Sequence, residues 1–277
     1  MLAKDLQGLL GRLTEAGVDS IGLLGSTGSY MYLSREERRR AVEIAAETVA
    51  GATPLMVGIG ALRTDEAIAL ARDAAGAGAN GLLLAPVSYT PLSEDEVYEH
   101  FTAVASATEL PLCIYNNPGT THFSFSNALL ARLAAVARVV AVKNPSAPVA
   151  ENPERHAALQ ALLPEDFALG YSGDWNAASA LLAGGVGWYS VIGGLLPEPA
   201  LKLARAAQSD DAVEVARLNQ AFAPLWSLFQ ELTSYRVVYA AANAMGLTAA
   251  QPPRPILPLT AADRERVMAA IGGLAGV

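Results

Sequence analysis

The feature that most constrains this chain is a strand–helix unit that recurs about every 30 residues, the length of a βαβ unit. Its strand part is a short apolar run that ends in a Gly, Pro or polar turn. These runs occupy residues 20–24, 54–58, 81–85, 111–115, 139–143, 167–171 and 187–192. They are continuously apolar, which is typical of parallel strands that are covered on both faces. Because alternating strands and helices are joined by right-handed crossovers, the pattern predicts an α/β protein with a parallel sheet.

Local signals mark several of the helices between these strands. Ser34 with Glu37, and Ser93 with Glu96, have the spacing of a capping box, in which each side chain binds the other residue's backbone N–H. Elsewhere, apolar residues three and four positions apart predict a buried helix face. Together these signals predict helices over residues 5–16, 34–49, 64–75, 97–107 and 128–137.

Seven strands are one fewer than a closed (β/α)8 barrel, the TIM barrel, requires. Because the chain opens with a predicted helix, the missing first strand would lie before Met1. We therefore predict a (β/α)8 TIM barrel whose first strand is missing from the chain, with an open doubly wound sheet as the alternative. From about residue 197 the pattern is helical only, with helices predicted over 201–208, 211–232 and 235–245 and a last one from Thr260. Residues 1–200 are predicted to form the barrel that carries the active site, and residues 201–277 a C-terminal helical region.

Composition narrows the functional classes. Of the 277 residues 52% are hydrophobic and 17% are charged, which excludes a disordered or fibrous protein. The net charge of −8 argues against nucleic acid as the main partner. The single cysteine forms no intrachain disulfide and no cysteine-based metal site, so a reducing, cytoplasmic setting is expected. No apolar stretch reaches the about 18 residues that a membrane span needs.

Lys143 is the most informative residue of the sequence. It ends the otherwise apolar strand 139–143, and the carboxyl ends of parallel barrel strands form the active site. A lysine buried there loses hydration, so its pKa falls from about 10.4 toward neutrality. The free amine can then attack a carbonyl carbon and form a Schiff base. A surface lysine at a strand end, or one arm of a salt bridge, is the alternative interpretation.

Two other strand ends carry polar residues suited to the same chemistry. Tyr115 ends the preceding strand, and its hydroxyl can transfer protons beside Lys143. Ser26 and Thr27 lie in a glycine-flanked turn that begins at Gly25, and the N–H and hydroxyl groups of such a turn suit a small carboxylate. A core aromatic residue and an ordinary strand–helix loop remain the alternative interpretations.

These segments resemble the dihydrodipicolinate synthase/N-acetylneuraminate lyase family of Schiff-base barrels, over about residues 9–260. Four motifs carry the resemblance, and each stands at the end of a predicted strand. The sequence GSTG at 25–28 is similar to the family's GTTGE turn, YNNP at 115–118 to its YNxP motif, VK at 142–143 to its lysine strand end, and SGD at 172–174 to its SGDD turn. Four motifs in the right order form a far more specific signal than any one of them.

The resemblance implies a role for each matching residue. Lys143 would form the Schiff base, Tyr115 would transfer protons, and Ser26 would relay protons to that tyrosine. Gly25 and Thr27 would hold the carboxylate of a 2-oxo acid, and Tyr189 would turn its main-chain carbonyl toward the substrate. The resemblance also implies a lyase that acts on pyruvate or a related small-molecule 2-oxo acid without a cofactor or metal. It further implies a homo-oligomer, a dimer or a tetramer built from tight dimers.

Several positions depart from the family pattern. Thr120 stands where the lysine-pathway synthases carry an arginine that anchors the semialdehyde carboxylate. Ser88 stands where a tyrosine is lent by a neighbouring subunit, with Tyr89 one residue away. Thr120, Thr121 and His122, with Ser146 beyond the lysine, suggest a hydroxylated, sugar-acid-like 2-oxo acid as the substrate.

Alternative functions stay open at this point. One is 4-hydroxy-tetrahydrodipicolinate synthase of lysine biosynthesis, and another is a non-catalytic barrel that binds a 2-oxo acid. A third is a phosphosugar isomerase that would bind phosphate at Gly193 and Gly194 and use Asp174 as its base.

The histidines and the cysteine are given structural interpretations. His100 and His156 are predicted to lie on helix surfaces, and the three histidines of the chain show no metal-ligand spacing. Cys113 stands in the middle of a predicted strand, which favours a core residue over a nucleophile.

Overall fold

Seven parallel strands form one curled sheet in the computed structural model, which describes residues 3–274 and 276. The strands follow one another across the sheet in chain order, and every neighbouring pair is parallel. They are β1 (Ile21–Leu23), β2 (Leu55–Gly58), β3 (Gly81–Leu84), β4 (Leu112–Tyr115), β5 (Val139–Pro145), β6 (Ala168–Ser172) and β7 (Gly187–Trp188). Each predicted apolar run overlaps one of these strands, so the α/β prediction with a parallel sheet is confirmed.

Helices separate the strands and then continue alone to the end of the described chain. They are α1 (Ala3–Ala16), α2 (Arg35–Val49), α3 (Thr64–Gly76), α4 (Glu94–Ala105), α5 (Pro118–Thr121), α6 (Asn127–Ala134), α7 (Asn152–Gln160), α8 (Asp174–Leu182), α9 (Pro197–Gln208), α10 (Ala212–Leu232), α11 (Ser234–Ala244) and α12 (Ala261–Gly272). Both predicted capping boxes are present, at the starts of α2 and α4.

The core has two main parts. In the first, side chains of the sheet such as Leu82 and Ile114 pack with residues of the surrounding helices such as Phe101, all of them buried. The second lies among α8 to α12, where the rings of Phe222 and Trp226 stack with their centroids 4.7 Å apart. The C-terminal helices therefore pack directly against α8 of the sheet region, and the predicted boundary near residue 200 stays a prediction.

The last strand is shorter than predicted. The apolar run 187–192 forms a strand only at Gly187–Trp188 and then turns into a short 3-10 helix at Ile192–Gly194. The cause is Asp174, a fully buried carboxylate that accepts hydrogen bonds from the backbone N–H groups of Val191 and Ile192. These bonds bend the chain away from the sheet.

The two edges of the sheet lie on one cavity. Among the described residues β1 pairs only with β2, and β7 pairs only with β6. Ile21 and Gly22 from one edge and Gly187 and Trp188 from the other line the same cavity, which also contains Lys143. The sheet is thus curled, while its closure by an eighth strand stays a prediction.

The predicted surface positions of two histidines are wrong. His100 and His156 are both buried, at 9% and 3% exposure. Each finds a hydroxyl partner inside the protein: Nδ1 of His100 lies 2.9 Å from Thr64 Oγ1, and Nδ1 of His156 lies 2.9 Å from the Tyr171 hydroxyl. A polar partner that is distant in sequence overrides the usual preference of histidine for the surface. In the part of the chain that the structure describes, no helix is long and apolar enough to cross a membrane.

Candidate active site

Lys143 and Tyr115 come together because their strands are neighbours in register. Tyr115 on β4 pairs directly with Lys143 on β5. The Lys143 Nζ lies 4.1 Å from the centroid of the Tyr115 ring and 5.6 Å from that of Tyr189. The amine therefore stands between two aromatic faces at the carboxyl end of the sheet, within a cavity of about 1240 Å³.

The Tyr115 hydroxyl is the centre of a small hydrogen-bond network. It lies 3.1 Å from Ser26 Oγ, as the predicted relay requires. It also accepts a hydrogen bond of 3.1 Å from the side-chain amide of Asn117. Because the amide donates to the phenol oxygen, the phenolic proton remains free to point to Ser26 or into the cavity.

Asn117 is a site residue that sequence reasoning missed. Its amide nitrogen also lies 3.1 Å from Thr120 Oγ1 and 3.4 Å from Ser26 Oγ. Asn117 precedes Pro118, the first residue of the short helix α5, and this turn directs its side chain back toward the end of β4. Asn117 is the N-cap residue of α5 but makes no side-chain capping bond, which leaves its amide free for Tyr115; its place in the YNNP segment was the signal that could have identified it.

The turn after β1 contains two backbone N–H groups that have no backbone partner among the described residues. The amides of Gly28 and Ser29 bond inside the turn, to the carbonyls of Gly25 and Ser26. Those of Ser26 and Thr27 bond to no backbone carbonyl among the described residues, and both residues line the cavity with Gly25. These two N–H groups are therefore available to a ligand, and the binding of a carboxylate by this turn stays a prediction.

Close backbone packing fixes the position of this turn. The carbonyl oxygen of Leu24 approaches Gly58, at the end of β2, so closely that a Cβ on Gly58 would lie 1.9 Å from it. Leu24 itself has a left-handed backbone with φ of 56°. Only glycine at position 58 allows the turn to approach β2 in this way.

The Tyr189 side chain packs on one side of Lys143 and is held by core residues. Its ring packs against Gly170, and its hydroxyl lies 3.3 Å from the Cys113 Sγ. Burial raises the pKa of Tyr189, and burial raises the pKa of the Cys113 thiol to about 11, so both side chains are neutral at neutral pH. Cys113 is a core residue, as predicted, whereas the role of the Tyr189 carbonyl stays a prediction.

Thr120 and Ser146 also line the cavity. The Thr120 hydroxyl accepts the hydrogen bond from Asn117 and is exposed, so it can still donate to a ligand. The Ser146 hydroxyl already donates to the carbonyl of Gly173 at 3.0 Å, which leaves only its lone pairs for a substrate. Their predicted contacts with the substrate stay predictions.

The geometry disfavours a phosphate site at the glycine pair. The N–H of Gly193 donates to Ser190 Oγ at 2.8 Å, and that of Gly194 donates to the carbonyl of Val191 at 3.3 Å. Asp174 is tied to backbone N–H groups, and burial raises its pKa against the opposing effect of those bonds. Gly193 and Gly194 therefore keep no free backbone N–H for a phosphate. Asp174 instead fixes the path of the chain after β7.

The C-terminal helices contribute further site residues that the sequence analysis did not identify. Ser29 Oγ lies 2.7 Å from the hydroxyl of Tyr235 and 2.8 Å from that of Tyr239, both on α11. Tyr30, the next residue, is buried in the cavity wall, and burial and then the nearby Tyr115 raise its pKa to about 12. The helical region thus completes the mouth of the cavity.

Comparisons with known proteins agree with this geometry. Residues 3–273 match the model of the dihydrodipicolinate synthetase family. A 4-hydroxy-tetrahydrodipicolinate synthase from Azoarcus sp. (strain BH72) is 35% identical over 268 residues, which cover 96% of this chain and 90% of that relative. A crystal structure of dihydrodipicolinate synthase from Agrobacterium tumefaciens matches with a TM-score of 0.97 and 58% identity, covering 99% of this chain and 92% of that one.

A further solved structure was obtained with a ligand. It is the chloride-inhibited dihydrodipicolinate synthase from Acinetobacter baumannii complexed with pyruvate. Its TM-score is 0.89 at 30% identity, and the match covers 99% of this chain and 93% of that chain. These matches extend over nearly the whole described chain and confirm the resemblance: the chain belongs to the dihydrodipicolinate synthetase family, whose members are lyases.

Proposed function

We propose that this chain is a lysine Schiff-base lyase that acts on pyruvate or a related 2-oxo acid. The observation that carries the proposal is the position of the Lys143 amine, 4.1 Å from the ring of Tyr115, whose hydroxyl is bonded to Ser26 and Asn117. An amine, a proton carrier and a free pair of backbone amides in one cavity are the groups that imine formation on an acid requires.

The first half of the reaction forms the imine. The substrate carboxylate binds at the N–H groups of Ser26 and Thr27, which brings its ketone to the Lys143 Nζ. The Lys143 amine attacks the ketone carbon and gives a carbinolamine. Tyr115 donates a proton to the departing hydroxyl, which leaves as water, and a proton from solvent that passes through Ser26 restores the phenol. The product is an iminium ion on Lys143.

The second half uses the iminium as an electron sink. Loss of a proton from the carbon next to it gives an enamine, which can add to an aldehyde and form a carbon–carbon bond. In the reverse direction a hydroxyl proton is lost, the carbon–carbon bond breaks toward the iminium, and an aldehyde leaves. Loss of a β-hydroxyl as water follows the same electron flow. Hydrolysis then frees the product from Lys143.

A 4-hydroxy-tetrahydrodipicolinate synthase is the second candidate. The names of the curated relatives favour it. Thr120 argues against it, because a hydroxyl cannot replace the bidentate guanidinium expected there for the semialdehyde carboxylate. Turnover of pyruvate with aspartate semialdehyde, compared with other aldehydes, separates the two functions.

Trapping with borohydride tests the Schiff base directly. Incubation with pyruvate and sodium borohydride is expected to add one reduced pyruvate to the chain, on the peptide that contains Lys143. The sequence has only three lysines, Lys4, Lys143 and Lys202, so the modified position is unambiguous. Borohydride with lactate, which has no ketone, is the control. An unchanged mass with several 2-oxo acids would overturn the proposal and support a binding protein without turnover.

The contact of Asn117 with Tyr115 leads to a quantitative prediction. Asn117→Ala is expected to lower kcat about fivefold to tenfold, because one hydrogen bond of about 1 kcal/mol no longer orients the phenol. KM for the 2-oxo acid should change little, since the amide does not belong to the carboxylate site. Steady-state kinetics measure both constants, with the exposed Asn127→Ala as the matched control. A wild-type kcat in Asn117→Ala would show that the contact is only structural.

We further propose that the curled sheet is a (β/α)8 barrel that an eighth strand would close between β1 and β7. The cavity that both edge strands line supports this arrangement. A chain extended at its amino end by about six apolar residues, the usual strand length, is expected to melt at a higher temperature. Circular dichroism measures the change, and a polar extension of equal length is the control. An unchanged melting temperature would indicate a sheet complete with seven strands.

The assembly and the cellular setting are proposals too. We expect a cytoplasmic homo-oligomer, a dimer or a tetramer. Tyr89 supports an interface near the site, because its side chain is 96% exposed on the loop after β3. In a single chain it has no bonded route to Tyr115 among the described residues, so any part it takes in proton transfer would involve another subunit.

A further inference from the structure

The turn after β1 has a left-handed residue that is not glycine at each of its ends. Leu24 has φ of 56° and Ser29 has φ of 61°. Such a backbone conformation costs energy and persists only where the surrounding structure fixes it. At Leu24 the close approach of β2 at Gly58 fixes it. At Ser29 the fixing contacts come from α11, on the other side of the cavity mouth.

The side chain of Ser29 is bound to α11 and not to its own helix. Ser29 precedes the short 3-10 helix Tyr30–Tyr32, yet its hydroxyl makes no capping bond there. Its Oγ lies instead 2.7 Å from the Tyr235 hydroxyl and 2.8 Å from the Tyr239 hydroxyl. Because a hydroxyl oxygen has two lone pairs, it can accept hydrogen bonds from both phenols at once. Burial raises the pKa of Tyr235, so this phenol keeps its proton and stays a donor at neutral pH.

The backbone connects Ser29 to the predicted carboxylate site. The Ser29 N–H donates to the carbonyl of Ser26 at 3.1 Å. A shift of Ser29 would therefore move the peptide units of Ser26 and Thr27, whose N–H groups have no backbone partner among the described residues. The tyrosines of α11 thus hold the turn at one end, as β2 holds it at the other.

We propose that Tyr235 and Tyr239 are positioning residues for the substrate carboxylate. They act through Ser29, which sets the place of the two available N–H groups in the turn. This role rests on the proposed Schiff-base function and adds the residues that hold its acid-binding turn in place. Among the described residues that line the cavity, Tyr235 is present and Tyr239 is not, so Tyr239 acts through Ser29 alone.

Pyruvate and acetone test this role, because both are methyl ketones and only pyruvate has a carboxylate. The rate of adduct trapping by cyanoborohydride at low ketone concentration gives a second-order rate constant for each. The ratio of these constants, pyruvate over acetone, is the carboxylate preference of the enzyme. Tyr235→Phe and Tyr239→Phe should each lower the preference about threefold to tenfold, the effect of one lost hydrogen bond. The double variant should lower it about 10- to 50-fold.

Two further variants make the effect specific. Tyr171→Phe is the matched control, because it removes a buried hydroxyl that is bonded to His156 at 2.9 Å, outside the described cavity lining. It should lower the melting temperature and leave the carboxylate preference unchanged. Ser29→Ala removes the shared partner and should lower the preference as the double variant does. Adding Tyr239→Phe to Ser29→Ala should then change nothing further, because the contact is already lost.

Binding of lactate gives a readout that needs no imine. Calorimetry should show that lactate binds about threefold to tenfold more weakly to each single tyrosine variant and with unchanged affinity to Tyr171→Phe. An unchanged preference and unchanged lactate affinity in the double variant would overturn the role of α11. An equal fall in Tyr171→Phe would overturn it too, because any structural loss would then have the same effect. Absence of pyruvate trapping in the wild type would contradict the Schiff base, while the lactate series would still test the two tyrosines.

Discussion

Lys143→Ala is expected to reduce turnover of every 2-oxo acid by a factor on the order of 10⁴ or more, as the loss of a covalent nucleophile does in other enzymes. No other lysine lines the described cavity, so no neighbouring amine can form the imine in its place. A coupled assay of the pyruvate consumed or released, over a panel of aldehydes and sugar acids, measures the effect.

Two further variants make the Lys143 result specific. Lys143→Arg keeps a positive charge but cannot form an imine, so it should be as inactive as Lys143→Ala. Lys4→Ala removes an exposed lysine from α1 and should retain full activity. Residual turnover of a few percent in both Lys143 variants would mean that the chemistry does not pass through this amine. Lys143-dependent turnover of any 2-oxo acid excludes the non-catalytic alternative.

Tyr115→Phe is expected to lower kcat about 10²- to 10³-fold, the usual contribution of a positioned proton donor. The substitution removes only the hydroxyl and its bonds to Ser26 and Asn117, while the ring against the Lys143 amine remains. Imine formation should therefore slow, whereas binding of the substrate carboxylate should not change. Rapid-mixing experiments with borohydride quenching measure the rate of adduct formation.

A matched tyrosine provides the comparison for Tyr115. Tyr98 lies on α4 beneath the guanidinium of Arg132, outside the cavity, and Tyr98→Phe should have wild-type rates. Ser26→Ala should give a smaller loss than Tyr115→Phe, because water can replace a serine hydroxyl in the relay. Equal rates of adduct formation in Tyr115→Phe and the wild type would assign proton transfer to another group, and Tyr30, whose pKa is raised in part by Tyr115, would be the next phenol to examine.

Much of the fold and the centre of the site could be predicted because the signals are local. A continuous apolar run predicts a covered parallel strand, and consecutive strand ends lie side by side, so Tyr115 and Lys143 were expected to meet. The serine–glutamate spacing likewise fixes two helix starts without reference to the rest of the chain.

The features that were missed depend on packing between distant segments. Tyr235 and Tyr239 lie more than 200 positions from Ser29, and no periodicity indicates that α11 docks on the turn after β1. The end of β7 was misjudged for the same reason, because a buried carboxylate on another element bends an apolar run. His156 is buried through its bond to the Tyr171 hydroxyl, which the sequence alone does not indicate.

The bond between Ser29 and the two tyrosines of α11 has an evolutionary consequence. The proposed reactive residues stand on β4, on β5 and in the turn after β1, whereas part of the cavity wall is supplied by α11. Mutations in that helix can therefore diversify which acids enter while the reactive amine is conserved. Paralogues that catalyse the same reaction on different substrates are the outcome that this separation allows.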